Sequence, residues 1–303
     1  MNELPVKAID PLINRLRLME ESDIAALIAE LCAVKTPTIL GFLNQHGYNL
    51  AQRSPRIYHS FTEVDCLLRD GIGIKMACKF NRLEPGANLN GSDFIPRLFS
   101  HLADDPAGNV EFFAMGTREP WLSQGAKALF GEHPFAAIDG FRSPEEYVDF
   151  VMERHVAGHF PVVVLAMGMP KQEEIAVLLR QRLDGPALFI CGGAILDFAA
   201  ERFPRAPMLV RQIGMEWLFR LVMEPKRLFS RYAIGIPLFF FYALRNAGVS
   251  LPAAERAASD YKRQLSERLV EDSLGEAVKH AAQDVDAALA APRQATSVGV
   301  SQT

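Results

Sequence analysis

No stretch of the 303 residues offers the roughly 20 consecutive apolar side chains that a membrane-spanning helix requires. The strip YAIGIPLFFFYAL, Tyr232 to Leu244, is uncharged but too short, and Pro237 interrupts it. Neither sign of charge is in excess: 32 basic residues face 36 acidic ones, a formal net charge of −4. That balance gives no broad electrostatic reason to expect nucleic acid. Cysteine is scarce. Cys32, Cys66, Cys78 and Cys191 are widely spaced, form no CxxC pair and lie mostly in apolar runs such as VDCLL and ALFICGG. They read as buried free thiols in a reducing compartment and argue against a disulfide framework or a cysteine metal site. The opening MNELPVKAIDPL lacks the basic start and apolar core of a secretion signal, so a cytoplasmic protein is expected. There is no GxSxG elbow and no Walker A loop, and GIGIKM has Met76 where a dinucleotide fingerprint has its third glycine.

What is present is an ordinary globular composition, 49% apolar and 22% charged, long enough for one large domain or two modest ones. Short apolar or β-branched runs recur at 38–43, 64–68, 110–115, 135–139, 162–167 and 187–191 and predict six buried strands. Helical spacing lies between most of them, as from Glu145 to His155 and from Gln172 to Leu183. The alternation predicts an α/β fold with a mainly parallel, Rossmann-like sheet and helices on both faces.

Four of these strands run into glycine-containing junctions: DGIG (70–73), GTREP (116–120), GMPKQEE (168–174) and CGGAILD (191–197). A helix amino terminus carries unpaired N–H groups and partial positive charge, and glycine lets a ligand approach the backbone. In an open α/β sheet these junctions share the carboxyl edge, where ligands bind. The parts for holding an anion such as a diphosphate are thus present, although any α/β protein needs similar turns.

Individual residues admit two readings each. Asp70 closes an apolar strand and is either a base that takes a proton from a hydroxyl or the cap of the next helix. Pro170, Glu173 and Glu174 suit the first turn of a helix, whereas Lys171 and Gln172 either face a ligand or, for the lysine, face water. In NGSDF, Ser92 or Asp93 is expected to cap a helix. His155 and His159 have the i, i+4 spacing of a zinc pair but no glutamate between them and no third ligand, so no metal is expected. The acidic pairs Asp104-Asp105 and Asp284/Asp286 read as solvated charge.

After Pro207 the chain becomes aromatic and basic together, with Trp217, Phe219, Phe229 and Tyr232 among Arg211, Arg220, Lys226, Arg227 and Arg231. This chemistry suits an anionic membrane interface or a lipid-linked phosphate, or else an amphipathic helix docked on the domain. The expected organisation is a helical lead-in (1–35), an α/β catalytic domain (36–207), a basic-aromatic membrane-proximal appendage (208–245), a helical extension (246–291) and a disordered tail (292–303).

The segments FLNQHGYN (42–49), LLRDGIGI (67–74), NGSDF (90–94), FFAMG (112–116), GMPKQEE (168–174), CGGAILDF (191–198), RAP (205–207) and GMEWLFRLVMEPKRLFSRY (214–232) together resemble the WecG/TagA/CpsF bacterial glycosyltransferases, glycosyltransferase family 26. The resemblance implies an inverting transferase that moves a sugar from a UDP-sugar to a polyprenyl-diphosphate-linked saccharide at the cytoplasmic membrane face. It implies Asp70 as the base, Asn44 and Gln172 as substrate-positioning residues, and Arg220, Arg227 and Arg231 as appendage arginines completing the site. Gly71, Gly168, Lys171, Gly192 and Gly193 join these as expected substrate-binding positions, with no metal and no further cofactor. Two positions depart from the family pattern: Phe42 stands where threonine is usual, and Asn88 where arginine is usual.

The expected partners are the UDP-sugar, the lipid-linked acceptor and the membrane surface, without nucleic acid; a homo-oligomer stays open. The rival expectations are a nucleotide-dependent oxidoreductase, from the parallel sheet and the GIG turn, and a catalytically silent adaptor of polysaccharide assembly.

Overall fold

In the computed structural model the described residues are 10–102, 109–203, 206–207, 210, 216–247 and 263, and the side chains of Glu216, Arg220, Arg227 and Ser230 fall outside the description. The elements below belong to one compact unit, residues 1–258; of the second, 259–303, only Arg263 is described. Apart from Arg263, the expected extension from 248 onward, the tail, Arg205, Asp104 and Asp105 therefore lie outside the described residues.

The six apolar runs form six strands: β1 (Pro37–Leu43), β2 (Cys66–Arg69), β3 (Val110–Gly116), β4 (Phe135–Ile138), β5 (Phe160–Ala166) and β6 (Ala187–Cys191). They make a single sheet in the order β2-β1-β6-β5-β3-β4, with every pairing parallel. Side chains alternate between two covered faces. Ile39, Leu43, Val163, Leu165 and Phe189 enter one core, while Leu40, Phe42, Val162, Val164 and Leu188 enter the other. With both faces buried, the period of two leaves no polar positions in the strand interiors, and Thr38, Arg69 and Glu111 stand near strand ends, which is why the strands read as apolar runs.

One face is covered by α1 (Pro11–Asn14), α3 (Gln45–Arg53), α4 (Pro55–Thr62), α5 (Gly71–Phe80), α8 (Pro144–Met152) and α9 (Lys171–Arg180). The other carries α2 (Ile24–Cys32), α6 (Gly91–Leu102), α7 (Trp121–Phe130) and α10 (Ile195–Ala199). The start of α6 differs from expectation: Asn90, not Ser92 or Asp93, accepts the Asp93 N–H at 3.0 Å. Three of the four free thiols are buried, whereas Cys32 is half-exposed. Burial raises the pKa of each, to about 12 for Cys66 and about 11 for Cys78, so they stay protonated.

The appendage comprises α11 (Glu216–Met223), α12 (Pro225–Phe229), a π-helical turn (Ser230–Ile234) and α13 (Gly235–Asn246). Pro237 falls in the first turn of α13, where its missing N–H is tolerated, so the apolar strip is a π turn followed by an α-helix. No helix among the described residues is long and apolar enough to cross a membrane. One side of α13 docks on α3. Phe239 is buried with its ring centroid 5.4 Å from that of Tyr48, and Asn246 Nδ2 donates to the Tyr48 hydroxyl at 2.9 Å and to Gln52 Oε1 at 3.0 Å. The Tyr48 hydroxyl in turn donates to the buried carboxylate of Asp10.

On the opposite face α7 and α10 approach so closely that a Cβ on Gly125 would stand 2.2 Å from the Leu196 carbonyl oxygen. The obstacle is backbone and has little freedom to yield. Gly125→Ala is expected to lower unfolding stability by ~1–3 kcal/mol, measured by urea denaturation.

Candidate functional site

Parallel strands place all six carboxyl ends on one edge. The helix after β1 (α3) covers one face and the helix after β6 (α10) covers the other, which opens a crevice between these neighbouring strands. The start of α6 leans over it: the position of a Cβ on Gly91 is 3.5 Å from the Phe42 ring, and that on Gly192 is 3.3 Å from Ile95 Cδ1. Phe42 is itself core, 3% exposed and edge-on to Phe94 at 6.2 Å, so this departure from the family pattern fills volume where threonine would bring a hydroxyl.

At the crevice, Asn44 is the N-cap of α3. Its Oδ1 accepts from the N–H groups of His46 and Gly47, both at 3.0 Å, and its Nδ2 donates to Asp70 Oδ2 at 3.3 Å. Register explains the meeting: Leu43 pairs with Arg69, so the next residues stand side by side. Asp70 is half-buried and occupies the N-cap position of α5, but its side chain makes no capping hydrogen bond. Of its two readings, the capping one does not hold. Asn88 substitutes, its Oδ1 accepting the Gly71 N–H at 2.9 Å. Beneath lies Arg69, 4% exposed, whose guanidinium donates to the carbonyls of Pro85 (2.9 Å), Gly86 (3.0 Å) and Gly71 (3.2 Å). These bonds stitch the 85–86 loop to the head of α5.

The GMPKQEE turn is built differently from expectation. Gln172 is fully buried, and its side chain meets protein on every side. Its Oε1 accepts the N–H of Gly193 at 2.9 Å and of Gly168 at 3.2 Å, while Nε2 donates to Glu173 Oε1 at 2.8 Å and the Cys191 carbonyl at 3.3 Å. It therefore clamps the β5 and β6 turns together and reaches a substrate only through them. Lys171 also points inward, Nζ donating to the carbonyls of Arg142 (2.7 Å) and Gly140 (3.0 Å) and to the Tyr147 hydroxyl (3.3 Å). It straps α9 to the loop after β4 while staying half-exposed, and its hydrogen bonds are to that loop and to Tyr147.

The N–H groups of the four expected glycines are engaged within the protein. Gly71, Gly168 and Gly193 give theirs to Asn88 and Gln172, and Gly192 gives its N–H to the Leu165 carbonyl at 2.8 Å. What glycine supplies is conformation and room: φ is +83°, +81° and +63° at Gly71, Gly168 and Gly193, and nothing lies within 4 Å of where their Cβ atoms would be.

Glycine also brings the appendage in. Gln45 lies between Gly73 and Gly235, whose Cβ positions would stand 3.0 Å and 2.9 Å from its side chain. Its Nε2 donates to the Arg231 carbonyl at 3.5 Å, and Asn49 Nδ2 donates to that of Gly235 at 2.7 Å. Arg231 is thereby held beside α3, half-buried, with its charge acting on His46. The structure thus gathers Asn44, Asp70, His46 and Arg231. The side chains of Arg220 and Arg227 lie outside the described residues. Sequence reasoning missed His46, Arg69, the clamping role of Gln172 and the capping role of Asn88; only the Asn-Gln-His run at a strand end hinted at the first.

The histidine pair lies elsewhere. His155 and His159 share Glu111, at 2.7 Å and 3.4 Å, at the amino edge of the sheet. A hollow of about 370 Å³ opens there among Glu111, Phe112, His133, Phe135 and Arg154, away from every expected site residue. Among the described residues no group of three or more His, Cys, Asp or Glu side chains could hold a metal ion.

Glu173, expected to favour the positive end of its helix, turns inward and is fully buried, with Oε2 lacking any hydrogen bond to the described residues. Burial pushes its pKa up from 4.5 to about 7. Between these values the folded protein holds a proton that the unfolded chain has lost, so stability falls as pH rises through that window. At about 1.4 kcal/mol per pKa unit this amounts to ~3 kcal/mol. Glu173→Gln is expected to abolish that slope and to be the more stable protein at pH 8, read from urea melts at pH 4 and pH 8.

The family model described as "Glycosyl transferase WecG/TagA/CpsF family" matches residues 10–266, more than four-fifths of the chain. The match includes Asn44, Asp70, Gln172 and the appendage as far as α13. A parallel sheet with an oriented carboxylate at its carboxyl edge, in a chain matched over this extent, places the protein in the WecG/TagA/CpsF family of glycosyl transferases.

Proposed function

We propose that this transferase moves a sugar, with inversion, from a UDP-sugar to a polyprenyl-diphosphate-linked saccharide in cell-surface polysaccharide assembly. The observation that carries the reading is Asp70: it stands at the carboxyl edge, is not consumed by helix capping and has one carboxylate oxygen held by Asn44. In the proposed step this carboxylate takes the proton of the acceptor hydroxyl as the oxygen attacks the anomeric carbon. The bond to the donor's diphosphate breaks on the opposite face, and its electron pair leaves with UDP. Positive potential must meet that charge. Arg231 supports this role through its place beside α3, and Arg220 and Arg227 are assigned to it by the family resemblance. Gln172 and Lys171 act as positioning residues, since they hold the turns that carry Gly168 and Gly193. Those glycines, with Gly71 and Gly192, form walls of the substrate groove.

The acceptor's lipid stays in the bilayer, so the enzyme must work at its surface. Of the eleven large apolar side chains that the described residues expose, seven lie on the appendage: Leu218, Val222, Met223, Phe229, Ile234, Phe241 and Leu244. Such concentration supports a membrane-binding face on the cytoplasmic side, with the exposed Lys226 and Arg245 nearby for anionic headgroups.

Asp70→Asn is expected to cut turnover by at least ~100-fold while the thermal midpoint stays unchanged, measured as UDP release with a short-chain prenyl-diphosphate glycoside. Full activity removes Asp70 from the mechanism. The triple variant Val222→Glu, Phe229→Glu, Phe241→Glu is expected to lose at least ~10-fold in partitioning to anionic vesicles, since each buried aromatic or aliphatic side chain contributes ~1.5–3 kcal/mol. Unchanged co-sedimentation overturns the membrane face.

A further inference from the structure

His46 occupies the first turn of α3, with its N–H fixed by Asn44, the same amide that holds Asp70. Its imidazole belongs to neither hydrophobic core and makes no hydrogen bond or ion pair with the described residues. The ring is half-buried beside the π turn that carries Arg231. A polar ring placed at a candidate site, tied by its backbone and partly open to solvent, is available to a ligand.

We infer that His46 is a second diphosphate-binding residue, which takes up a proton when the anion seats beside Arg231 and then donates a hydrogen bond to a phosphate oxygen. This rests on the transferase reading above and extends it to a residue that the family resemblance did not assign. The electrostatics agree with the geometry. In the unliganded protein, burial and then the charge of Arg231 push the ring's pKa down to about 4, so it is neutral. The amino-terminal end of α3 disfavours a cation in the same sense and attracts an anion. Among the described residues, Arg231 is the one charge that acts on the ring; Asp70, at the head of α5, stands beyond the Asn44 amide, and no described charge from α4 or α13 acts on it. A diphosphate reverses the balance, because an opposite charge within about 4–6 Å raises such a pKa by about 1–3. The proton comes from solvent and rests on an imidazole nitrogen; no covalent bond changes.

Both substrates of the proposed reaction carry a diphosphate, and the test separates them. The full-length protein, with its seven histidines labelled with ¹⁵N, is titrated in pH by long-range ¹H–¹⁵N spectroscopy. Titrations are run alone, with UDP and with farnesyl diphosphate, and the His46 signal is assigned by its loss in His46→Gln. The ring is expected to titrate below pH 5 alone and at least one pH unit higher with the anion that occupies this position. Movement with UDP alone identifies the donor's diphosphate, and movement with farnesyl diphosphate alone the acceptor's. Arg231→Gln is expected to raise the unliganded midpoint by removing the neighbouring cation. If either anion binds, seen as shifts of other signals, while the His46 midpoint stays still, the inference is overturned and the transferase reading stands. If neither binds at millimolar concentration, both fall.

Discussion

Six strands that all run the same way, buried on both faces, impose the constraint from which the remainder follows. Such a sheet tolerates polar residues only near strand ends, as at Thr38, Arg69 and Glu111, so groups capable of chemistry are driven to its two edges and the turns there. Parallel direction then collects those turns on one edge. Asn44, Asp70, Gly168, Gln172, Gly192 and Gly193 come from four separate junctions, spread over more than 140 residues of sequence, and meet there because four strands end together.

Turns are intrinsically soft, and this edge is stiffened by two carboxamides used to nearly full capacity. Asn44 accepts two N–H groups and donates to Asp70; Gln172 accepts two and donates twice. Each bond contributes only about 1 kcal/mol net to stability, but their joint effect is geometric: one amide aims a carboxylate and the other sets the spacing of two glycine turns. An oriented acid with its helix capped by another residue is a preorganised group, and preorganisation lets a weak base act without rearrangement during reaction. Asn88 is therefore more than a departure from a family pattern. By taking the Gly71 N–H it leaves the Asp70 carboxylate to Asn44.

The appendage faces two ways. Phe239, Ala243 and Asn246 bind it to α3 through apolar packing and the Tyr48 network, while Phe229, Ile234, Phe241 and Leu244 remain outside. The π turn between these regions presents the Arg231 carbonyl to Gln45, so one segment brings both a cation to the site and apolar surface to its exterior. On the proposed reading, contact with lipid and completion of the site are mechanically joined in that turn.

Local pattern by itself determined the strands, whose ends moved by no more than two residues, because a doubly buried strand must be apolar throughout and its ends must turn. It also determined that glycine junctions follow four of them, and the motif at Asp70 marked a carboxylate worth testing. What linear spacing left open was decided by packing between distant segments. Whether Asp70 caps a helix depends on Asn88, which lies seventeen residues away across a loop. Whether Gln172 faces water or core depends on Gly193, and whether Lys171 is solvated depends on carbonyls near Tyr147. The charge state of His46 is likewise set by packing, by burial first and then by the charge of Arg231 on the appendage. A side chain's chemistry follows from its partners and its burial. Both are properties of the folded edge and not of neighbours in sequence.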